Sequence, residues 1–127
     1  MMINSTQSNI GLKIRLLHTQ EKQLWDALVA SDAHSCFMQS WAWADFKELE
    51  GYQTFRYGLF AEEQLVGGCI FHFYPHPSKA NLLMAPGGPI LTFPYLEVGI
   101  ELLLKQAELL VDKLGAIALR IEPLWLQ

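Results

Sequence analysis

A lysine within an aromatic helix face is the first feature of this sequence that could do chemistry. Trp43, Phe46, Lys47 and Glu50 recur at positions i, i+3, i+4 and i+7, which places them along one face of a predicted helix. Trp41 cannot share the face of Trp43, so one of the two tryptophans is expected in the core. The Lys47 stem could simply cover apolar surface. Its ammonium could equally contact an anionic ligand, and both interpretations stay open.

A second set of charges lies on the last predicted strand. Arg120 and Glu122 are two residues apart and therefore point to the same face of that strand. The simplest interpretation is an ion pair between them, or pairing with the neighbours of Arg56. Arg120 is nevertheless a candidate for contact with an anionic substrate.

The histidines and cysteines do not form a recognisable metal site. His72 and His76 are four residues apart, but they lie on a predicted strand that Pro75 interrupts, and four strand residues span about 13 Å. The only two cysteines, Cys36 and Cys69, form neither a disulfide framework nor a zinc site by themselves. We expect two reduced thiols and no metal.

Other catalytic and phosphate-binding motifs are weak. Residues 86–89 read Pro-Gly-Gly-Pro between a strand and a helix, where phosphates often bind, but they lack a Walker lysine and a GxGxxG pattern. We therefore expect these four residues to form a structural turn rather than a phosphate-binding loop. There is no GxSxG nucleophile motif, and His34 near Cys36 is poor support for a catalytic thiol. Glu62 and Glu63 fall in a predicted turn and are expected to be solvated.

The composition describes one folded domain. The chain has 127 residues, of which 51% are hydrophobic, and this excludes a disordered chain. Charged residues make up 17%, fewer than is usual, so we expect part of the apolar surface to be covered by a partner or by a missing second half. The net charge of −4 and the absence of a basic run argue against autonomous binding to DNA or RNA.

The ends of the chain carry no predicted targeting segment. Residues 1–10 read as a flexible polar lead-in without the layout of a signal peptide, and the longest apolar run, over 65–71, is too short to span a bilayer. We therefore expect a cytoplasmic protein with one domain over 11–127. The sequence ends just after Leu124, Trp125 and Leu126. Exposed Trp and Leu are unusual at a domain end, so we expect the fold to continue beyond this point.

Eight elements are predicted, in the order β-α-α-β-β-β-α-β. Thr19 and Ser40 are the expected N-caps of the first two helices, and a third helix covers 95–114. Strands are expected over 12–16, 54–60, 65–74, 81–85 and 116–122. The strand over 65–74 is apolar on both faces and therefore central. The predicted faces are Leu65, Cys69, Phe71 and Phe73 on one side, and Val66, Ile70 and Tyr74 on the other.

This order resembles the N-terminal part of the GNAT acyltransferase fold, a mixed α+β architecture with a central, mostly antiparallel sheet flanked by helices. GNAT enzymes hold the pyrophosphate of acetyl-CoA with a Q/R-x-x-G-x-G/A loop. The corresponding junction here, over residues 85–92, reads APGGPILT. Because this junction lacks the loop signature, an ordinary acetyl-CoA enzyme is disfavoured, and no cofactor is expected.

Three segments resemble motifs of the FemABX family, the aminoacyltransferases of peptidoglycan cross-bridges. Residues 37–47 read FMQSWAWADFK and are similar to the family's Q-S-x-x-W-x-x-x-K helix. Residues 85–90 read APGGPI and resemble its Y-x-P-R-G-P turn. Residues 118–123 read ALRIEP and resemble its R-i-d/e-P strand. Their order and spacing agree with the family over about 37–123.

The resemblance implies transfer of an amino acid from aminoacyl-tRNA to an amine of a muropeptide precursor, UDP-MurNAc-pentapeptide or lipid II. Lys47 matches the lysine expected at the precursor's phosphates, a sensible role for a compact ammonium. The full set implied for substrate binding is Lys47, Trp43, Gln39, Arg120, Gly87 and Gly88. No catalytic residue is assigned, because an amine that attacks an activated ester needs mainly positioning and oxyanion stabilisation.

The sequence also departs from the family pattern. Met84 replaces the expected tyrosine, Gly87 the arginine, and Thr92 the acidic residue after the turn. Family members carry two tandem GNAT-like domains, and this sequence covers only the first. We therefore expect it to be inactive alone, with aminoacyl-tRNA binding only alongside the second domain. Two alternatives remain: a non-catalytic remnant or binding module that dimerises through exposed apolar surface, and a CoA-dependent N-acyltransferase of small molecules.

Overall fold

A six-stranded mixed sheet organises the domain. The computed structural model describes residues 11–123, so the predicted lead-in over 1–10 and the apolar end at Leu124, Trp125 and Leu126 lie outside the described residues. The strands are β1 (Leu12–Leu16), β2 (Gln53–Ala61), β3 (Gln64–Tyr74), β4 (Asn81–Pro86), β5 (Ile90–Leu91) and β6 (Ala116–Glu122). The helices are α1 (Lys22–Ser31), α2 (Trp41–Leu49) and α3 (Leu96–Leu114), with short 3-10 turns over Thr19–Glu21 and Phe37–Gln39.

The strands follow the order β1-β2-β3-β4-β6, with β5 paired to β3 off this path. All neighbouring pairs are antiparallel except β4 and β6, which run parallel because α3 crosses over between them. This confirms the predicted α+β class and element order. The two-residue strand β5 was not predicted, since it is too short to show an alternating pattern.

Local capping signals set the start of α2 and the end of α3. The Ser40 side chain accepts a hydrogen bond from the Trp43 amide at 3.1 Å, which confirms the predicted cap of α2. Gly115 ends α3 with a φ of 72°, a conformation that glycine adopts without strain. The expected cap at Thr19 was wrong: α1 begins at Lys22 after the 3-10 turn, where the Glu21 carboxylate accepts from the His18 amide at 2.7 Å.

The two faces of the sheet bury separate apolar clusters. On one face, α3 packs through Leu103, Ala107 and Leu110 against strand residues such as Leu59 and Leu83. The other face is covered by α1 and α2. Its buried residues are Trp25, Val29, Trp41, Ala44, Phe60, Leu65, Ile70 and Ile90. Trp41 is therefore the core member of the tryptophan pair, as the sequence predicts for one of the two.

A β-bulge corrects the predicted faces of β3. Leu59 pairs with Gly67 but the next residue, Phe60, pairs with Leu65, so Val66 is an extra residue in the ladder. Because one inserted residue reverses the alternation of side chains, Leu65 joins the α1 and α2 face while Val66 joins the α3 face. The prediction had placed these two residues the other way round.

A second irregularity changes the predicted faces of β6. Strict alternation predicts that Ile117, Leu119 and Ile121 point to one face of the strand and Arg120 and Glu122 to the other. Leu119 and Ile121 pack against the α3-side cluster, but the register shifts beside Ile117, whose side chain is 70% exposed. Ile117 is the inserted residue: it has no partner in the ladder with β4, and its side chain does not reach the core.

Candidate functional site

An aromatic cage surrounds the ammonium of Lys47. Its Nζ lies 5.2 Å from the ring centre of Trp43, 6.0 Å from Phe46, 5.4 Å from Tyr52 and 5.9 Å from Tyr74. These four rings are called the aromatic cage below. Two of them come from α2, one from the link after α2 and one from the end of β3. Ring faces attract a cation at these distances, so the cage holds the Lys47 side chain at the surface of the sheet.

The Lys47 ammonium is charged and forms an ion pair with a carboxylate that another anion could replace. Its Nζ lies 3.2 Å from Oε1 of Glu50, and this hydrogen bond raises the pKa of the ammonium. The Glu50 side chain is 42% exposed, so the ion pair is weak and screened by water. A more highly charged anion could therefore take the place of the carboxylate. The Phe37 ring is 65% exposed and meets Trp43 edge-on at 5.2 Å, which extends the aromatic surface towards solvent.

Arg56 fixes α2 to the sheet. Its guanidinium lies 4.4 Å from the ring centre of the buried Trp41 and forms ion pairs with Asp45 at 2.7 Å and Glu48 at 3.1 Å. All three partners belong to α2, whereas Arg56 belongs to β2. These contacts set the position of the helix that carries Lys47.

Arg120 lies on the same side of the sheet as Lys47. Cross-strand pairing aligns His72 of β3 with Met84 of β4, and Met84 with Arg120 of β6, so the three side chains share one face. Tyr74, the last member of the cage, is aligned in the same way with Leu82 and Ala118. Two strand spacings, about 10 Å, therefore separate the cage from β6.

The part of this face formed by β4 and β6 is open. Both α1 and α2 pack over β2 and β3, which leaves Leu82 and Met84 only partly covered and Ala118 and Arg120 exposed. We call the three apolar residues Leu82, Met84 and Ala118 the shelf. Arg120 Nε pairs with Glu122 Oε2 at 2.8 Å, which confirms the predicted pairing, and the Arg120 side chain is 65% exposed. The shelf is thus an apolar floor with Lys47 at one side and Arg120 at the other.

Gln39 lies beneath the site, away from solvent. The residue is 0% exposed, and its Nε2 donates to the carbonyls of Ile70 and Pro86, each at 3.1 Å. Its Oε1 accepts from the Ile70 amide at 2.9 Å, and its own carbonyl accepts from Trp25 Nε1 at 2.7 Å. Both N–H groups of the side-chain amide are used, so none is available to a substrate.

The Pro-Gly-Gly-Pro turn over 86–89 is buried as well. The Gly88 amide donates to the Ala85 carbonyl at 3.1 Å, and the two prolines have no N–H to offer. A Cβ on Gly87 would come within 2.7 Å of Cys36 Cβ, and a Cβ on Gly88 within 2.7 Å of the Gln39 amide carbon. These close approaches support the structural turn and leave no open phosphate cradle.

The structure thus divides the six predicted site residues into two groups. Lys47, Trp43 and Arg120 reach the surface on one face of the sheet, and direct contact with substrate stays a prediction for them. Gln39, Gly87 and Gly88 are packed together below that surface and shape the site from within. Sequence reasoning missed Tyr52 and Tyr74. Tyr52 lies directly before β2 and Tyr74 is the last residue of β3, so both lie at or near the ends of predicted strands.

His72 is a buried base beside two cations. It is 0% exposed, and within residues 11–123 neither ring nitrogen has a hydrogen-bond partner. Its ring stacks on Tyr74 with the centres 6.2 Å apart. Burial, and then the charges of Lys47 and Arg56, lower the pKa of His72 to about 4, while the nearby Met38 backbone and the Glu48 carboxylate oppose the shift. His72 is therefore neutral at pH 7.

This shift predicts a loss of stability in mild acid. An unfolded histidine takes up a proton near pH 6.5, whereas folded His72 stays neutral until about pH 4. The free energy of unfolding should therefore fall between pH 6.5 and 4, by at most about 3 kcal/mol. Urea titrations at several pH values measure it. His72→Phe should flatten the curve in this window, whereas the exposed His34→Gln should not. An unchanged slope in His72→Phe would contradict the prediction.

The remaining candidate residues do not converge on a site. His72 is buried in β3, whereas His76 lies in the exposed turn beyond it and contacts Ser78 at 2.8 Å. Glu62 and Glu63 occupy an exposed turn, as predicted. In the part of the chain that the structure describes, no three His, Cys, Asp or Glu side chains are grouped to hold a metal ion. Over that same part, no helix is long and apolar enough to cross a bilayer.

Solved structures define the fold class. The domain superposes on a ribosomal-protein-alanine N-acetyltransferase from Brucella melitensis biovar Abortus 2308 with a TM-score of 0.65 and 18% identity, covering 87% of this chain and 79% of the other. It also matches an aminoglycoside acetyltransferase from an uncultured soil metagenomic sample, with a TM-score of 0.61 and 14% identity, covering 93% and 81%. The protein is therefore a GNAT-like domain, as its element order implied.

A family model then assigns the chain more narrowly. The FemAB family model matches residues 20–127, so this chain belongs to the FemAB family. The crystal structure of FemX superposes with a TM-score of 0.74 and 22% identity over 87% of this chain. The match covers 27% of the FemX chain, so this sequence spans about a quarter of that protein. A comparison with curated proteins gave no significant match.

Proposed function

We propose that this domain binds the anionic end of a peptidoglycan precursor for an aminoacyltransferase of the FemAB type. The ligand is UDP-MurNAc-pentapeptide or its lipid-linked form, lipid II. The observation that carries the proposal is the caged, charged Lys47 at the edge of an open shelf with Arg120 at its other side. In a chain of net charge −4, this places two cations on one face, where a diphosphate could bind.

The charge arrangement favours a polyanion over a single carboxylate. Lys47 and Arg120 are each paired with one neighbouring glutamate on the surface, and such pairs contribute little to stability. A diphosphate carries more charge than either glutamate and can contact both cations across the shelf. The apolar floor of Leu82, Met84 and Ala118 would lie under the sugar and peptide.

The proposed reaction needs no nucleophile from this domain. The acceptor amine attacks the ester carbonyl of aminoacyl-tRNA, a C–N bond forms, and the C–O bond to the terminal ribose breaks. The amine gives up a proton and the leaving ribose oxygen takes one up to become a hydroxyl, so the transfer balances without an oxidant or reductant. The domain's share is to hold the acceptor in place. We place this activity in the cytoplasm, where the UDP-linked precursor and charged tRNA occur, with this domain as the first of two in tandem.

Calorimetric titration with UDP-MurNAc-pentapeptide tests the proposal. Lys47→Ala should weaken binding at least tenfold, because the variant loses a charge that contacts phosphate. Lys105→Ala is the matched control, since Lys105 is an exposed lysine on α3, which covers the opposite face of the sheet. It should bind like the wild type. Arg120→Ala should also weaken binding.

Two results would overturn the proposal. The first is a folded wild type that binds no precursor; the second is a Lys47→Ala variant that binds as well as the wild type. A parallel titration with acetyl-CoA tests the competing N-acyltransferase interpretation. Because the turn over 86–89 is buried and its Gly88 amide is already used, we expect no heat of binding from acetyl-CoA.

A further inference from the structure

The ladder along β3 contains a gap on the side that faces β4 and β5. Residues 72–74 of β3 pair with β4, and Gly67 and Gly68 pair with β5. Ile70 lies between these two pairings and belongs to neither. An unpaired backbone amide and carbonyl in a buried strand would be strongly destabilising, so something else must satisfy them.

The side chain of Gln39 fills this gap. Its Oε1 accepts from the Ile70 amide at 2.9 Å, and its Nε2 donates to the Ile70 carbonyl at 3.1 Å. A side-chain amide offers the same donor and acceptor as a peptide group. The Gln39 side chain therefore makes the two hydrogen bonds that a residue of a neighbouring strand would make to Ile70. Its second N–H reaches the Pro86 carbonyl at 3.1 Å and ties the end of β4 to β3.

The same residue connects the three motifs that the sequence singles out. Gln39 belongs to the first motif, two residues before the start of α2 and eight residues before Lys47. Its amide packs on Gly88 of the second motif, where an added Cβ would approach its three terminal atoms within 2.9 Å. The Gly88 carbonyl in turn accepts from the amide of Glu122, in the third motif, at 3.2 Å. Glu122 pairs with Arg120.

We infer that Gln39 is a positioning residue that sets the separation between Lys47 and Arg120. It makes no contact with substrate. It joins the segment before α2, the middle of β3 and the turn over 86–89, and this turn is hydrogen-bonded to Glu122 at the end of β6. The backbone segments that carry the two cations are therefore connected through its amide. This inference rests on the proposed precursor site, since it explains how the two sides of that site are held at a constant distance.

Gln39→Leu is the direct test, because leucine has a similar volume and removes all three side-chain hydrogen bonds. We expect the folded variant to bind UDP-MurNAc-pentapeptide at least tenfold more weakly than the wild type. Val29→Ala is the control: it lowers stability within the apolar cluster that contains Trp25 and Ile70, and Val29 belongs to α1, whose main contacts are with β3 and α2. It should keep the wild-type affinity. Hydrogen exchange of the Ile70 amide should accelerate in Gln39→Leu and stay slow in Val29→Ala.

Gly88→Ala serves as the second variant if Gln39→Leu does not fold. Its Cβ would push the Gln39 amide away from the turn, so the same loss of affinity and the same faster exchange at Ile70 are expected. A folded Gln39→Leu or Gly88→Ala that binds like the wild type would overturn the inference and leave the proposed function intact. A wild type that binds no precursor would instead remove the proposed function, and the positioning role with it.

Discussion

Trp25→Ala should destabilise the domain by about 5 kcal/mol, the largest loss expected from one substitution. Trp25 is fully buried between α1 and the sheet, and removing a buried tryptophan costs about 3 to 5 kcal/mol. Its Nε1 also donates to the Gln39 carbonyl at 2.7 Å, and the variant leaves that buried acceptor unpaired. A loss of this size approaches the whole stability of many small domains.

Urea unfolding at 25 °C measures this loss, with Trp43→Ala as the matched control. Trp43 carries the same side chain on a partly exposed site, so its replacement should cost about 1 to 2 kcal/mol. Trp25→Phe separates packing from hydrogen bonding, because it keeps an aromatic ring and loses the N–H. We expect a cost of about 2 kcal/mol from the orphaned carbonyl. Equal losses in Trp25→Ala and Trp43→Ala would show that the contact with Gln39 and the burial count for little.

Gly68→Ala should destabilise the domain by about 3 kcal/mol or more. A Cβ at this position would lie 2.3 Å from the Tyr57 carbonyl oxygen and 2.7 Å from Cζ3 of Trp25. The first contact is with backbone, so the β2 and β3 strands would have to separate next to the bulge. Overpacking of this kind costs about 1 to 3 kcal/mol even where side chains can move.

Gly115→Ala is the control for Gly68→Ala. Gly115 ends α3 with a φ of 72°, and a Cβ there would meet no atom within 4 Å. Its replacement should therefore cost only the strain of a left-handed residue, about 1 kcal/mol. Thermal and urea unfolding of both variants compare the two effects. If Gly68→Ala were as stable as Gly115→Ala, the close approach of the two strands at the bulge would be refuted.

The sequence by itself determined the three helices, every strand except β5, and several of their ends. Alternation along 12–16 and 116–122, helical spacing along 95–114, and the cap at Ser40 are local patterns, and local hydrogen bonding and side-chain sterics govern them. The element order and the three motifs were also sufficient to imply the GNAT-like fold and the FemAB family. The fold and the family could both be inferred without knowledge of any contact between distant residues.

Only the tertiary structure decided how those elements meet. The bulge at Val66 exchanges the faces of Leu65 and Val66. It depends on how closely β2 and β3 approach each other at the paired glycines Gly58 and Gly68. The role of Gln39 depends on a gap in β3 that lies 31 residues away in sequence. The cage around Lys47 requires a tyrosine from the far end of β3. Each of these features is a contact between segments that are distant in the chain. Such contacts are selected by packing and by the need to satisfy buried hydrogen-bonding groups, and local residue spacing does not encode them.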